Sequence, residues 1–193
     1  MAEPTLQRLD TDAEASLEQR FSKADAAVFD DVIEYYLPEI QRLVHRLLAW
    51  SGETDDVVQD VFTAAFINRK RFRAQSSLKT WLFTITINTC RTRNRRHLLW
   101  RRFVKNRSGC QPSTVRCATE DAYDQEKNQK VQLAVRQLPS KYRDAVVLKY
   151  LEELPTPEIL AILKITEQTL YTRLYRARNL LQQNLLEYLE DEQ

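Results

Sequence analysis

A chain of 193 residues that is 43% hydrophobic and 29% charged, with Gly52 and Gly109 as its only glycines, is neither disordered nor rich in tight hairpins. Its formal charge is +2, yet the segment from Arg69 to Arg107 carries thirteen Lys and Arg and no acid, while all twenty-seven acids lie elsewhere. Such a local field neutralises phosphates and releases their counterions, so the expected partner is a nucleic acid.

In chain order, apolar residues recur at helical spacing. Val28, Phe29, Val32, Ile33, Tyr36, Leu37, Ile40, Val44 and Leu47 form a stripe along one or two helices, with Pro38 as a possible break. A second helix is expected from Glu53 and Thr54, with Thr54 suited to an N-cap and Val57, Val58, Val61, Phe62, Ala65 and Phe66 buried. Asp56, Gln59 and Asp60 then share its polar face at i, i+3 and i+4. A polar loop over Ala74, Gln75, Ser76 and Ser77 leads into a long helix from about Leu78 to Phe103. On it, Leu78, Leu82, Ile85 and Thr89 are expected to pack, while Trp81, Thr84, Asn88, Arg91 and Arg95 lie on another side. Phe72, Trp81, Phe83, Trp100 and Phe103 are interleaved with the charges and offer faces for unstacked bases.

Residues 106–124 lack apolar periodicity and read as a linker. Beyond it, Val131, Leu133, Ala134, Val135 and Leu138 precede Pro139, and Ala145, Val146, Leu148 and Leu151 follow. Thr156 as N-cap with Pro157 in the first turn opens a short helix, and Lys164, Ile165 and Thr166 form a turn. The last helix buries Leu170, Leu174, Ala177 and Leu181 and turns Gln168, Tyr171, Thr172, Tyr175, Arg176 and Asn179 outward, with Arg173 and Arg178 on its flanks. Helix, three-residue turn and basic amphipathic helix is the pattern of a helix-turn-helix.

Other chemistries find little support. Cys90, Cys110 and Cys117 are odd in number and read as free thiols; with His97 they still lack a fourth metal ligand. No phosphate loop, nucleophile triad or paired-carboxylate pattern stands out, so neither an enzyme nor a metal or cofactor site is expected. The acidic N-terminus has no apolar leader and no stretch matches a membrane span, so a cytoplasmic location without membrane insertion is expected.

Two blocks resemble the extracytoplasmic-function group of bacterial RNA polymerase sigma factors. DDVVQDVF (55–62) with FRAQSSLKTWLFTITINTCRTRNRR (72–96) is similar to sigma region 2, and LPSKYRDAVVLKYLEELP (138–155) with LYRAR (174–178) to region 4. The resemblance implies an all-α protein of two small helical domains: an N-terminal extension over 1–24, region 2 over 25–105, a linker over 106–124 and region 4 over 125–193. It implies that Asp56, Gln59 and Asp60 dock on the clamp helices of the polymerase's largest subunit, and that the beta flap and an anti-sigma factor are further partners. Arg73, Ala74, Gln75, Ser76, Ser77, Trp81, Asn88, Arg91 and Arg95 would capture the melting minus-ten element. Gln168, Tyr171, Thr172, Arg173, Tyr175, Arg176 and Arg178 would contact the minus-thirty-five element in the major groove. The chain departs from its relatives at Tyr171, where a basic residue is commoner, at Lys164 and Glu153, where Gly is commoner, and at Pro157, where an acid is. A helix-turn-helix regulator acting without polymerase is the alternative, and it leaves the Asp56 patch and the Trp81 to Arg95 face unused.

Overall fold

The structure, a computed structural model, describes residues 16–21, 28–50, 52–108 and 124–190, whose regular structure is helical throughout. A helical segment over 16–21 (α1) precedes α2 (Phe29–Leu47), α3 (Thr54–Asn68) and α4 (Leu78–Ser108). Three helices, α2, α3 and α4, pack on one another as the first bundle. Pro38 does not break α2. A mid-helix proline costs about 3 kcal/mol, but the stripe stays in one register, and each fully buried large apolar side chain recovers about 1.5 to 3 kcal/mol. Phe29, Val32, Tyr36, Ile40, Leu43, Val44 and Leu47 are all buried, so burial wins. Thr54 is the first residue of α3 rather than its cap; no side chain caps that end, and Asp55 and Asp56 in the first turn complement the helix dipole instead.

In α4 the buried face is Leu78, Leu82, Phe83, Thr86, Ile87 and Cys90, whereas Ile85 and Thr89 are only half-buried. The expected register was therefore rotated, and two aromatics assigned to bases, Phe72 and Phe83, belong to the core. Ser77 starts the helix by accepting a hydrogen bond at Oγ from the Thr80 N–H, 3.1 Å away. It continues past the expected end to Ser108, since no Gly or Pro interrupts it before Gly109. Part of the N-terminal extension belongs to this bundle: Leu17 and Phe21 are buried, and the Phe21 ring lies 5.5 Å from Phe72 and 5.7 Å from Trp81. Most of the expected linker, 109–123, lies outside the described residues.

The second bundle comprises α5 (Asp124–Gln137), α6 (Ser140–Val146), a π-helical turn (Val147–Leu151), α7 (Thr156–Leu163) and α8 (Glu167–Glu190). Ala134, Val135, Leu138, Ala145, Val146 and Leu148 are buried as expected, but Val131 and Leu133 are exposed. Thr156 is the first residue of α7, with Pro155 at the cap. The Thr166 Oγ1 accepts from the Thr169 N–H at 3.3 Å at the start of α8. Glu153 and Lys164, two of the departures noted above, both have a φ near +50° (52° and 53°), the region where glycine is least strained. The bundles touch where α4 meets α7 and where α2 meets α5 and α6.

Candidate nucleic-acid interface

On α8, burial of Leu170, Leu174 and Ala177 against the second bundle fixes what is left outside. Gln168, Tyr171, Thr172, Tyr175, Arg176 and Arg178 are exposed, and Arg173 is half-buried. Tyr171 and Tyr175 are 54% and 67% exposed. Arg176 hydrogen-bonds the Tyr142 hydroxyl, which lowers the pKa of that phenol. The guanidinium is thus propped by α6 as it faces water. These residues form one continuous polar face with a single apolar backing.

The face of α4 is less uniform. Arg73, Ala74, Gln75 and Ser76 are exposed and Ser77 is half-buried; Ala74 has φ 52°, so this loop holds an alanine in left-handed backbone. Asn88 and Arg95 are exposed. Between them, Arg91 donates through Nε to Asp144 Oδ2 of α6 at 2.7 Å. Trp81 is half-buried in an aromatic cluster, 5.5 Å from Phe72 and 5.7 Å from Phe21, so its ring is packed rather than presented. Trp100 and Phe103, farther along, are 59% and 58% exposed.

Of the expected docking patch, Asp56 and Gln59 are exposed on α3. Asp60 is turned toward α4, where its Oδ2 accepts from Arg93 Nε at 2.9 Å and from Arg93 Nη2. That hydrogen bond raises the Arg93 pKa, and Glu53 lies 3.8 Å from the same guanidinium. Sequence reasoning missed the neighbouring groove between α2 and α3, of about 560 Å³, lined by Phe29, Ile33, Leu37, Val58, Phe62 and Phe66 among others. Phe66 was expected in the core but is 40% exposed at the groove. The exposed Ile67 beside it widens the apolar arc of α3 beyond one buried face, and that width was the available signal.

Arg46 donates from Nη1 to Glu152 Oε1 and to the Leu151 carbonyl, both at 2.6 Å, and Arg42 reaches the same carboxylate at 3.3 Å. Arg143 donates to the Leu47 carbonyl at 2.9 Å; Asn94 of α4 donates to that oxygen too and accepts from the Ala49 N–H, both at 3.0 Å. Burial pushes the Asp144 carboxyl up, against the pull of Arg91, and pushes the Cys90 thiol up to about 12. Cys90 is therefore an inert free thiol. Cys110 and Cys117 lie outside the described residues. His97 stacks on Trp50 at 3.9 Å, and no metal-holding cluster of His, Cys, Asp and Glu occurs among the described residues.

Comparison with known proteins identifies the two bundles. The sigma-70 region 2 profile matches residues 32–99 and the sigma-70 region 4 profile residues 128–181. The ECF RNA polymerase sigma factor SigW of Bacillus subtilis (strain 168) is 30% identical over 175 residues, covering 86% of this chain and 94% of that protein. The chain belongs to the ECF sigma factors. The Escherichia coli (strain K12) ECF sigma-E factor is 29% identical over 172 residues, with 84% and 88% of the two chains covered. The sigma factor RpoE of Bartonella quintana, solved in complex with the anti-sigma factor NepR, superposes with a TM-score of 0.65 at 27% identity, over 81% of this chain and 96% of that one. The two bundles correspond to sigma regions 2 and 4, and the chain is an alternative sigma factor that binds RNA polymerase. Sigma factors are non-enzymatic regulators. Among the described residues, no helix is long and apolar enough to cross a membrane.

Proposed function

We propose that this sigma factor divides its work among three surfaces. Asp56, Gln59 and the adjoining groove dock on the polymerase clamp helices, with Asp60 bracing α4 through Arg93 rather than touching the partner. The Arg73 to Ser77 loop, Asn88, Arg91 and Arg95 capture the melted minus-ten strand, with Trp81 as the packed support of that loop. Gln168, Tyr171, Thr172, Tyr175 and Arg176 read the minus-thirty-five element in the major groove, while Arg173 and Arg178 hold phosphates. The observation that carries this reading is the pair of polar faces, each backed by its own bundle, one of them inside the acid-free basic segment.

The chain performs no chemistry of its own and acts in the cytoplasm. Bartonella RpoE was solved with an anti-sigma factor, and the exposed groove of this chain suits a partner of the same kind. Region 4 takes the beta flap as its polymerase partner in this reading. Run-off transcription with core polymerase, with and without the chain, tests the whole. Asp56→Arg with Gln59→Ala should weaken core binding at unchanged helical content, and the loss should shrink at high salt, where screening already suppresses the attraction. Undiminished core affinity in that variant removes the docking assignment.

A further inference from the structure

The last part of α4 differs from the rest of that helix. Up to His97 it is clamped to the loop after α2: Asn94 bridges the Leu47 carbonyl and the Ala49 N–H, and the His97 ring lies flat on Trp50 at 3.9 Å and 9°. Arg93 adds a further fastening through Asp60. Then Leu98, Leu99, Trp100 and Arg101 are all exposed. Successive helical residues are about 100° apart, so these four sample the whole circumference, and α4 leaves the bundle here. It runs on to Ser108, so an arm of roughly 16 Å projects from a fixed base. Along one side of the arm Arg96, Leu99, Trp100 and Phe103 fall at i, i+3, i+4 and i+7, and the sequence places Arg107 four residues further. The three apolar side chains are 54%, 59% and 58% exposed, and Arg96 is exposed as well.

We infer that this arm is a further DNA-binding site, which takes the spacer duplex beside the minus-ten element, with Arg96 on a phosphate and Leu99, Trp100 and Phe103 wedged against one base step. Charge selects the partner. From Arg69 to Arg107 there is no acid, and an apolar ridge inside such a field suits a polyanion that offers apolar surface between its phosphates, as a partly unstacked base step does. Continuity selects the place. The site rests on the minus-ten reading of α4, since Asn88, Arg91 and Arg95 immediately precede it on the same helix. Trp100 comes twelve residues after Asn88, which is about 18 Å along the axis, or about five base pairs at 3.4 Å each. The ridge lies about a quarter turn around α4 from those three residues, so both faces can be occupied at once. Past the arm the chain continues into the second bundle, whose α8 is assigned to the minus-thirty-five element, so the arm points to the spacer side. An apolar wedge must unstack the step it enters, and pyrimidine–purine steps such as TA resist this least. The arm therefore gives the protein a preference for a deformable step at one place in the spacer.

The test titrates holoenzyme, assembled from core polymerase and the full chain, onto fluorescent promoters of fixed elements and fixed spacer length. A single TA step is walked through a spacer otherwise free of pyrimidine–purine steps. The parent should bind about fivefold more tightly when the step lies about five base pairs upstream of the Asn88 contact than when it lies elsewhere. Trp100→Ala with Phe103→Ala should abolish that preference and weaken binding to every spacer about tenfold, at unchanged melting temperature and core affinity. Phe103→Leu keeps an apolar wedge and should retain the preference. Arg96→Ala should weaken all spacers alike and flatten the salt dependence by roughly one unit of log-log slope. The site is overturned by a parent indifferent to where the step lies, by an alanine pair that keeps the parental preference, or by one that loses core affinity instead, which gives the ridge to a protein partner. The parental scan needs no variant, so it decides the site even where the alanine pair fails to fold. Asn88→Ala separates the two readings. Normal melting of the duplex by that variant, with the spacer preference intact, removes the minus-ten assignment and keeps the arm; a melting defect beside a parent indifferent to the step removes the arm alone.

Discussion

The two reading faces are built differently. Helix α8 displays Tyr171, Thr172, Tyr175 and Arg176 to water from a backing of Leu170, Leu174 and Ala177, so it is ready for a major groove as it stands. Helix α4 displays Asn88 and Arg95, but its central Arg91 is engaged by Asp144 and its Trp81 is packed among Phe21 and Phe72. A face that reads an intact duplex can be finished in advance. A face that receives a melted strand has to be uncovered first, and its aromatic residues divide between holding the loop and meeting the base.

The comparison breaks most easily at Trp81. If that ring supports the Arg73 to Ser77 loop from beneath, Trp81→Ala opens a gap between Phe21 and Phe72 and should cost about 2 to 3 kcal/mol, below the 3 to 5 of a fully buried Trp because the ring is half-exposed. Thermal unfolding should show the loss, and transcription should fall equally on duplex and on pre-melted templates. Asn88→Ala should behave in the opposite way, with unfolding unchanged and a defect confined to the duplex, where unstacking has to be offset by new contacts. A Trp81→Ala chain of unaltered stability that fails only on the duplex would return this ring to the strand-capturing role.

On the α8 side, Arg176→Ala should cost about 1 to 3 kcal/mol in promoter binding and relax preference at one minus-thirty-five base pair, since a guanidinium there can pair bidentately with a guanine edge. Arg178→Ala should weaken all sequences alike and flatten the salt dependence by roughly one unit of log-log slope. A selection over randomised minus-thirty-five elements distinguishes them, and an Arg176→Ala chain with the parental preference at every position demotes Arg176 to a backbone contact. Its hydrogen bond to Tyr142 supplies a further control: Tyr142→Phe keeps the ring and removes the prop, so it should blur the same base preference more weakly.

Periodicity found the helices and most of the core because one-sided burial leaves a mark at every third or fourth position, as in Leu170, Leu174 and Ala177. It misplaced the packed side of α4 because that helix is enclosed by α3 on one side and α7 on another, which buries Phe83, Ile87 and Cys90 around more than one stripe. Aromatics beside arginines looked alike in the sequence, yet Phe72 and Phe83 are core while Trp100 and Phe103 are exposed. Exposure of an aromatic depends on what crosses above it. The pairings of Asp60 with Arg93 and of Arg91 with Asp144 join positions 33 and 53 residues apart, and local spacing holds no record of such contacts.

The smallest expected effect lies in the turn that aims α8. Lys164 occupies the left-handed position after α7, where the Ile165 N–H donates back to the Leu160 carbonyl at 3.3 Å and closes the helix end. A residue with a Cβ there costs about 1 to 2 kcal/mol of local strain, whereas glycine is free of it but adds about 0.4 to 1 kcal/mol of backbone entropy to the unfolded chain. The balance favours Lys164→Gly by a few tenths to about 1 kcal/mol, a rise of a few degrees in the melting temperature. Base preference at the minus-thirty-five element should not move, because the exposed side chains of α8 and their apolar backing are untouched. A fall in melting temperature would mean that the Lys164 side chain contributes more to the turn than its backbone strain removes, and a changed base preference would mean that the turn, and not only the helix face, sets how α8 meets DNA.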